Sequence, residues 1–351
     1  MKTFTKEQSF MAKGVAIMLL LLYHLFHEKH VLDEMAVNYA PFSEDAFLRF
    51  AGFGNICVAI FVMLTAYGIT VGLLGTEDIT IKKVCEKSAG RFFKLMLNFF
   101  FVYVTMNLLC FPYLNYGSLY GAGKQGLLSM LCDATGLSPI LGTPMLNGTW
   151  WYMKLAYVLI FLVPFMALAV KKTGKAALLI GFLLPFIIQL DSDLERYFFV
   201  AVFGVVAACE KWPEKIMNLK IHPVIWWLIA IPGSVFCVLV RQNALVKDYF
   251  WNYLDALIAF FIICATVMTL GKIPVLKSVL KFLGKHSMNI FLAHTFFYMI
   301  VWRKYIYHFE YAVATFLILL GVSLLYSVVL ELAKTGGLKI LKIMLKKVKK
   351  G

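Results

Sequence analysis

Ten long apolar runs recur from one end of this 351-residue chain to the other, and no other feature restricts its fold as much. A bilayer core about 30 Å thick is crossed by about 20 consecutive apolar residues in helical form. The runs fall near 10–26, 51–74, 92–112, 150–170, 176–190, 197–209, 223–240, 251–270, 287–302 and 311–332. With 61% hydrophobic residues against 15% charged, they are too many to hide inside one water-soluble core. The expected fold class is therefore all-α: a polytopic transmembrane bundle of about ten helices. The fifth and sixth runs are short and Pro185 interrupts one of them, so a tilted, broken or re-entrant helix is expected there.

Charge sets the expected orientation. Of the 34 lysines and arginines, 25 fall in alternate connections: around Lys2 to Lys13, Lys82 to Lys94, Lys171 to Lys175, Lys211 to Lys220, Lys272 to Lys285, and in the tail. Positive loops stay in the cytoplasm, which predicts both termini inside. The net charge of +15 is then a membrane signature, and a nucleic-acid partner is not expected. Lys2 and Lys6 precede an apolar stretch as in a signal peptide, but no small-residue cleavage site follows, so the stretch reads as a retained first helix. The seven cysteines are odd in number, form no CxxC pair and sit mostly in apolar runs, which makes them packing residues, with a Cys110–Cys132 bridge as the alternative.

Residues 1–332 read as one transmembrane domain and 333–351 as a basic amphipathic cytoplasmic tail. In the tail, Leu338, Leu341, Leu345 and Val348 share one helical face and Lys339, Lys342, Lys346 and Lys349 the other, a pattern that draws a helix to anionic membrane lipid. The connection 113–149, rich in Gly, Tyr and Ser, is the longest outside and is expected to act as a lid or to face substrate.

Polar groups at membrane depth are costly and so mark function until a partner explains them. Lys13 and His24 are eleven residues apart in the first run, nearly in phase on a helix and about 16 Å apart along it. Glu28 shares that face and is placed to orient the imidazole; a snorkelling lysine and an interfacial histidine are the structural reading of the same spacing. His294 follows Ser287 by seven residues, on one face but about 10 Å away, so they do not form a nucleophile–base pair, and a packed, hydrogen-bonded histidine is expected. Arg91 and Lys94 open the third run after Lys82, Lys83 and Lys87, where a cationic cluster suits phosphate; ordinary positive-inside decoration is the competing reading. Trp150 and Trp151 read as an interfacial aromatic belt, and Lys154 and Asp255 either pair or snorkel. No histidine or carboxylate spacing suggests a metal site.

Four stretches, in order, carry a family resemblance: KGVAIMLLLLYH from Lys13, GNICVAIFVMLTAYGIT from Gly54, GRFFKL from Gly90 and LKFLGKHSMNIFLAH from Leu280. Together they resemble the acyltransferase 3 family of integral membrane acyltransferases, which includes O-acetylases of bacterial surface polysaccharides. The chain departs from the family pattern in having Lys13 for the usual first arginine, Lys94 as second member of the paired arginines, and Thr65 and Ala66 in place of Ser-Gly. The resemblance implies a bacterial cytoplasmic-membrane enzyme with acetyl-coenzyme A as donor, its phosphates held by Lys13, Arg91 and Lys94. It implies catalysis at His24, as base or as acyl carrier, and a cell-surface or lipid-linked carbohydrate as acceptor. A secondary transporter and a non-catalytic membrane protein are the alternatives; the first predicts two related halves, which the sequence does not show.

Overall fold

The computed structural model describes residues 3–27, 37–76, 79–243 and 250–348, with side chains omitted from 338 to 348. Every predicted apolar run is helical, and the described residues contain no β-strand. The helices are α1 (Lys6–Phe26), α2 (Glu44–Phe53), α3 (Cys57–Leu74), α4 (Ile81–Cys110), α5 (Tyr116–Tyr120), α6 (Gly123–Ala134), α7 (Ser138–Leu141), α8 (Tyr152–Thr173), α9 (Ala177–Ile187), α10 (Ser192–Cys209), α11 (Trp212–Met217), α12 (Pro223–Arg241), α13 (Trp251–Met268), α14 (Pro274–Thr295), α15 (Arg303–Ile306) and α16 (Ala312–Val348). Among the described residues, seven stretches are long and apolar enough to cross a membrane. Neither α10 nor α14 is among them, because polar residues interrupt both: Asp193, Glu195 and Arg196 near the start of one, and Lys281, Lys285, His286, Asn289 and His294 along the other. Both bury their remainder inside the bundle, from Tyr197 to Ala208 and from His286 to Thr295.

Helix α3 is apolar all round and buried on nearly every side, as a central helix must be. Helices α4, α12 and α16 lie at the periphery and show Leu108, Leu228 and Leu325 outward, a surface suited to lipid. Lipid gives two apolar helices no hydrophobic reason to associate, so close backbone packing must hold them. The first and fourteenth helices illustrate this. A Cβ on Gly14 would overlap the Leu280 carbonyl, and one on Gly284 would overlap the Phe10 carbonyl. These contacts lie at one end of the helix pair, and His24 meets His294 ten residues further along each chain, so α1 and α14 run parallel.

A polar network sets the rotation of α14. Asn289 accepts from the Asn98 amide at 3.0 Å and donates to Glu331 at 2.8 Å and Ser327 at 3.1 Å, while His286 Nδ1 lies 2.8 Å from the Ser327 hydroxyl. Lys334 closes it, bonding Asn98 at 2.6 Å and pairing with Glu331.

Several expectations need correction. The short α9 takes Pro185 within its last turn and ends at Ile187, three residues before the predicted limit. Lys154 does not pair with Asp255: it holds Asp191 at 2.8 Å and Asp193 at 3.0 Å, while Asp255 is clasped by Arg241. Of the two readings of Cys110 and Cys132, the packing one holds: both are free thiols. The 113–149 connection is a folded cap of three short helices, in which buried Asp133 accepts from the Tyr120 hydroxyl at 2.6 Å and the Leu146 amide at 2.7 Å. Helix α16 runs from Ala312 to Val348 and so carries the basic segment from 333 onward in helical form.

Candidate functional site

Thr5 starts α1 with a capping box, accepting from the Gln8 amide while the Gln8 side chain accepts from its own, and the helix then runs unbroken to Phe26. That length carries His24 to the far end, where its ring centroid is 4.9 Å from that of His294. His294 is wholly buried. Its Nδ1 lies 2.8 Å from the Phe291 carbonyl and 3.2 Å from that of Ile290. Carbonyls only accept, so Nδ1 carries the proton and Nε2 is the acceptor of the ring, 3.4 Å from the Thr295 hydroxyl. The backbone continues as a π-helical turn, Phe296–Val301, that packs Tyr298 against His294.

His24 lines a cavity of about 330 Å³ with Tyr23, His27, Asn55, Trp151, Arg196 and others. Cys57 and Val58, at the start of α3, complete its wall. The volume is within the range of small-molecule sites, about 300–1,000 Å³. Trp151 stacks on Tyr197 at 6.3 Å, giving the cavity an aromatic side. The preceding residue points the other way. Trp150 was expected in an interfacial belt, but it is wholly buried, donating from Nε1 to the Leu292 carbonyl at 2.9 Å and packing on Phe99 at 4.8 Å. An indole N–H in a core needs such a partner, and here the partner is the carbonyl two residues before His294. Glu28 lies outside the described residues.

The cations lie at the opposite end. Arg91 on α4 packs against Gly72, where a Cβ would come within 3.0 Å of Nη2, so the bare glycine leaves room for the guanidinium. Gly72 is fifteen residues beyond Cys57 on α3, which is about 22 Å along a helix. Lys87 reaches the same corner and bonds the Thr76 hydroxyl. Lys13 sits beside the Gly14–Leu280 crossing, at this end of α1. Lys94 is exposed, one turn after Arg91 on the same helix and on the stripe of Leu97 and Phe101. Ser287 is buried and donates to the Gly284 carbonyl at 2.9 Å, so its hydroxyl is spent within its own helix.

A family model described as an acyltransferase domain, acyltransferase 3, matches residues 11–332. The chain belongs to the acyltransferase 3 family. Comparison with curated proteins and with solved structures finds no match. This acyltransferase is a multi-pass membrane enzyme, and the matched residues take in His24, His294 and both ends of the bundle. Sequence reasoning about the acyltransferase placed His24 and His294 on two separate helices and missed their contact. It also passed over Asn55, Arg196 and Tyr197. The one available signal was an arginine, Arg196, immediately before a long apolar run.

Proposed function

We propose that this acyltransferase takes an acetyl group from cytoplasmic acetyl-coenzyme A and passes it to a carbohydrate hydroxyl presented at the opposite face of the membrane. His24, which lines a cavity of about 330 Å³ and contacts the buried His294 behind it, carries the reading. A neutral imidazole in that position takes the hydroxyl proton as the oxygen attacks the thioester carbonyl. The thiolate of coenzyme A leaves, and the protonated histidine returns a proton to it. With Nδ1 committed to a carbonyl, His294 presents an acceptor nitrogen to this end of the bundle and supports the His24 imidazole through the change of charge.

Arg91 and Lys13 are the residues we assign to the donor's phosphates. Two observations support this: a guanidinium accommodated by the bare Gly72, and the distance of that corner from the histidines, which matches a long donor with charge at one end and a thioester at the other. Lys94, exposed one turn beyond Arg91, is a third cation at this end.

The test is transfer of labelled acetyl from acetyl-coenzyme A to envelope carbohydrate by the purified enzyme in lipid. His24→Gln keeps size and polarity but cannot take a proton, and is expected to lose transfer by roughly a hundredfold or more while still binding donor. His294→Gln is expected to fall less steeply. Unimpaired transfer by a folded His24→Gln protein would remove His24 from the mechanism.

A further inference from the structure

The cavity that holds His24 adjoins a second cleft of about 530 Å³, and the two share Tyr23, His27 and Asn55. Most of the charges that line them are already matched. Arg49 pairs with Asp45 at 2.8 Å. Arg241 makes two bonds to Asp255, at 2.8 and 3.1 Å. Asp193 is held by Lys154, which it shares with Asp191.

Arg196 differs. It lies one turn after Asp193 on α10, yet it forms no ion pair among the described residues. Its guanidinium lies over the Trp251 ring at 4.2 Å and near that of Tyr197 at 5.2 Å. Both Nε and Nη2 are buried and reach no acceptor among the described residues. Two aromatic faces fix the plane of this group and leave the in-plane N–H fork unused. That fork matches the oxygens of a carboxylate or a phosphate, and unmet buried donors favour the ligand that meets them.

We propose that the acceptor entering this cleft is an anionic carbohydrate, one bearing a carboxylate or a phosphate. Its negative oxygens bond Arg196, its ring lies along Trp151 and Tyr197, and a hydroxyl comes to His24 in the same cavity. The inference rests on the reading of His24 as the site of acetyl transfer, and it adds that charge on the acceptor is selected.

The test uses the full chain in lipid nanodiscs at fixed ionic strength, with glucose, glucuronate and glucose 1-phosphate as probes, followed through intrinsic tryptophan fluorescence because Trp151 and Trp251 line the clefts. The wild type is expected to bind at least one anion roughly tenfold or more tightly than glucose, and which anion does so separates a uronate-like from a phosphate-bearing acceptor. Arg196→Gln should lose that preference and keep its weak affinity for glucose; Arg196→Lys, which keeps charge without the planar fork, should keep part of it. Gel filtration and thermal melting report whether each variant is folded. Equal binding of all three probes, no binding of any, or an undiminished preference in Arg196→Gln overturns the proposal. Release of coenzyme A from acetyl-coenzyme A by the wild type is measured separately. If it is absent while the anion preference persists, the acetyl-transfer reading falls and the anion site stands.

Discussion

Asp133 lies outside the membrane-spanning helices, in the cap, and burial pushes its carboxyl up to about 6. Both of its hydrogen bonds fall on one oxygen, from Tyr120 and Leu146, and Oδ1 has no partner. The sign of the pH dependence follows. Between the unfolded value near 3.8 and the folded value near 6, the folded cap holds a proton that the unfolded chain has released, so the cap loses stability as pH rises through about 6. Protection from hydrogen exchange over residues 116–146, measured against the intrinsic rate at each pH, should therefore fall from pH 5 to pH 7, and Asp133→Asn should flatten that dependence. An equally steep profile in the variant would place the titrating group elsewhere. Leu146 directly precedes the turn that carries Trp150 and Trp151, so the loosened cap adjoins the wall of the acceptor cavity. None of this was legible in the sequence, where Asp133 is one of few charges in a polar connection. Burial made it distinctive, and burial depends on how the cap folds back on α4 and α8.

Among the elements, α1 and α14 set the geometry of the site, and they approach closely because Gly14 and Gly284 bring no side chain to the crossing. Gly284→Val inserts a branched side chain against the Phe10 backbone, and overpacking of this kind costs about 1–3 kcal/mol. The variant is expected to melt at lower temperature and to lose most acetyl transfer, since the displaced helices no longer bring His24 to His294. Gly321→Val on α16 meets open space and serves as the control, with transfer retained. A Gly284→Val protein with both properties intact would show that the crossing does not determine the contact. Hydropathy revealed where these helices lie because the membrane requires long apolar runs. It could not reveal which helix packs on which, since an apolar side chain facing lipid and one facing protein look alike in sequence. His294 accordingly read as a packed histidine, which its carbonyl bonds support, without a hint of its neighbour.

At the scale of the whole molecule, the charge asymmetry predicts that the Arg91 corner faces the cytoplasm and the His24 cavity faces outward. Thiol labelling on a cysteine-free background tests it: Lys124→Cys in the cap should react from outside, and Lys175→Cys only after permeabilisation. The reverse pattern would invert the bundle and detach the donor assignment from Arg91. The parallel pairing of α1 with α14 has a consequence for synthesis. His24 leaves the ribosome among the earliest residues, and His294 emerges only when most of the chain has been made. A partly synthesised enzyme thus has its cationic corner but not its paired histidines, and cannot transfer acetyl groups before the late helices join the first.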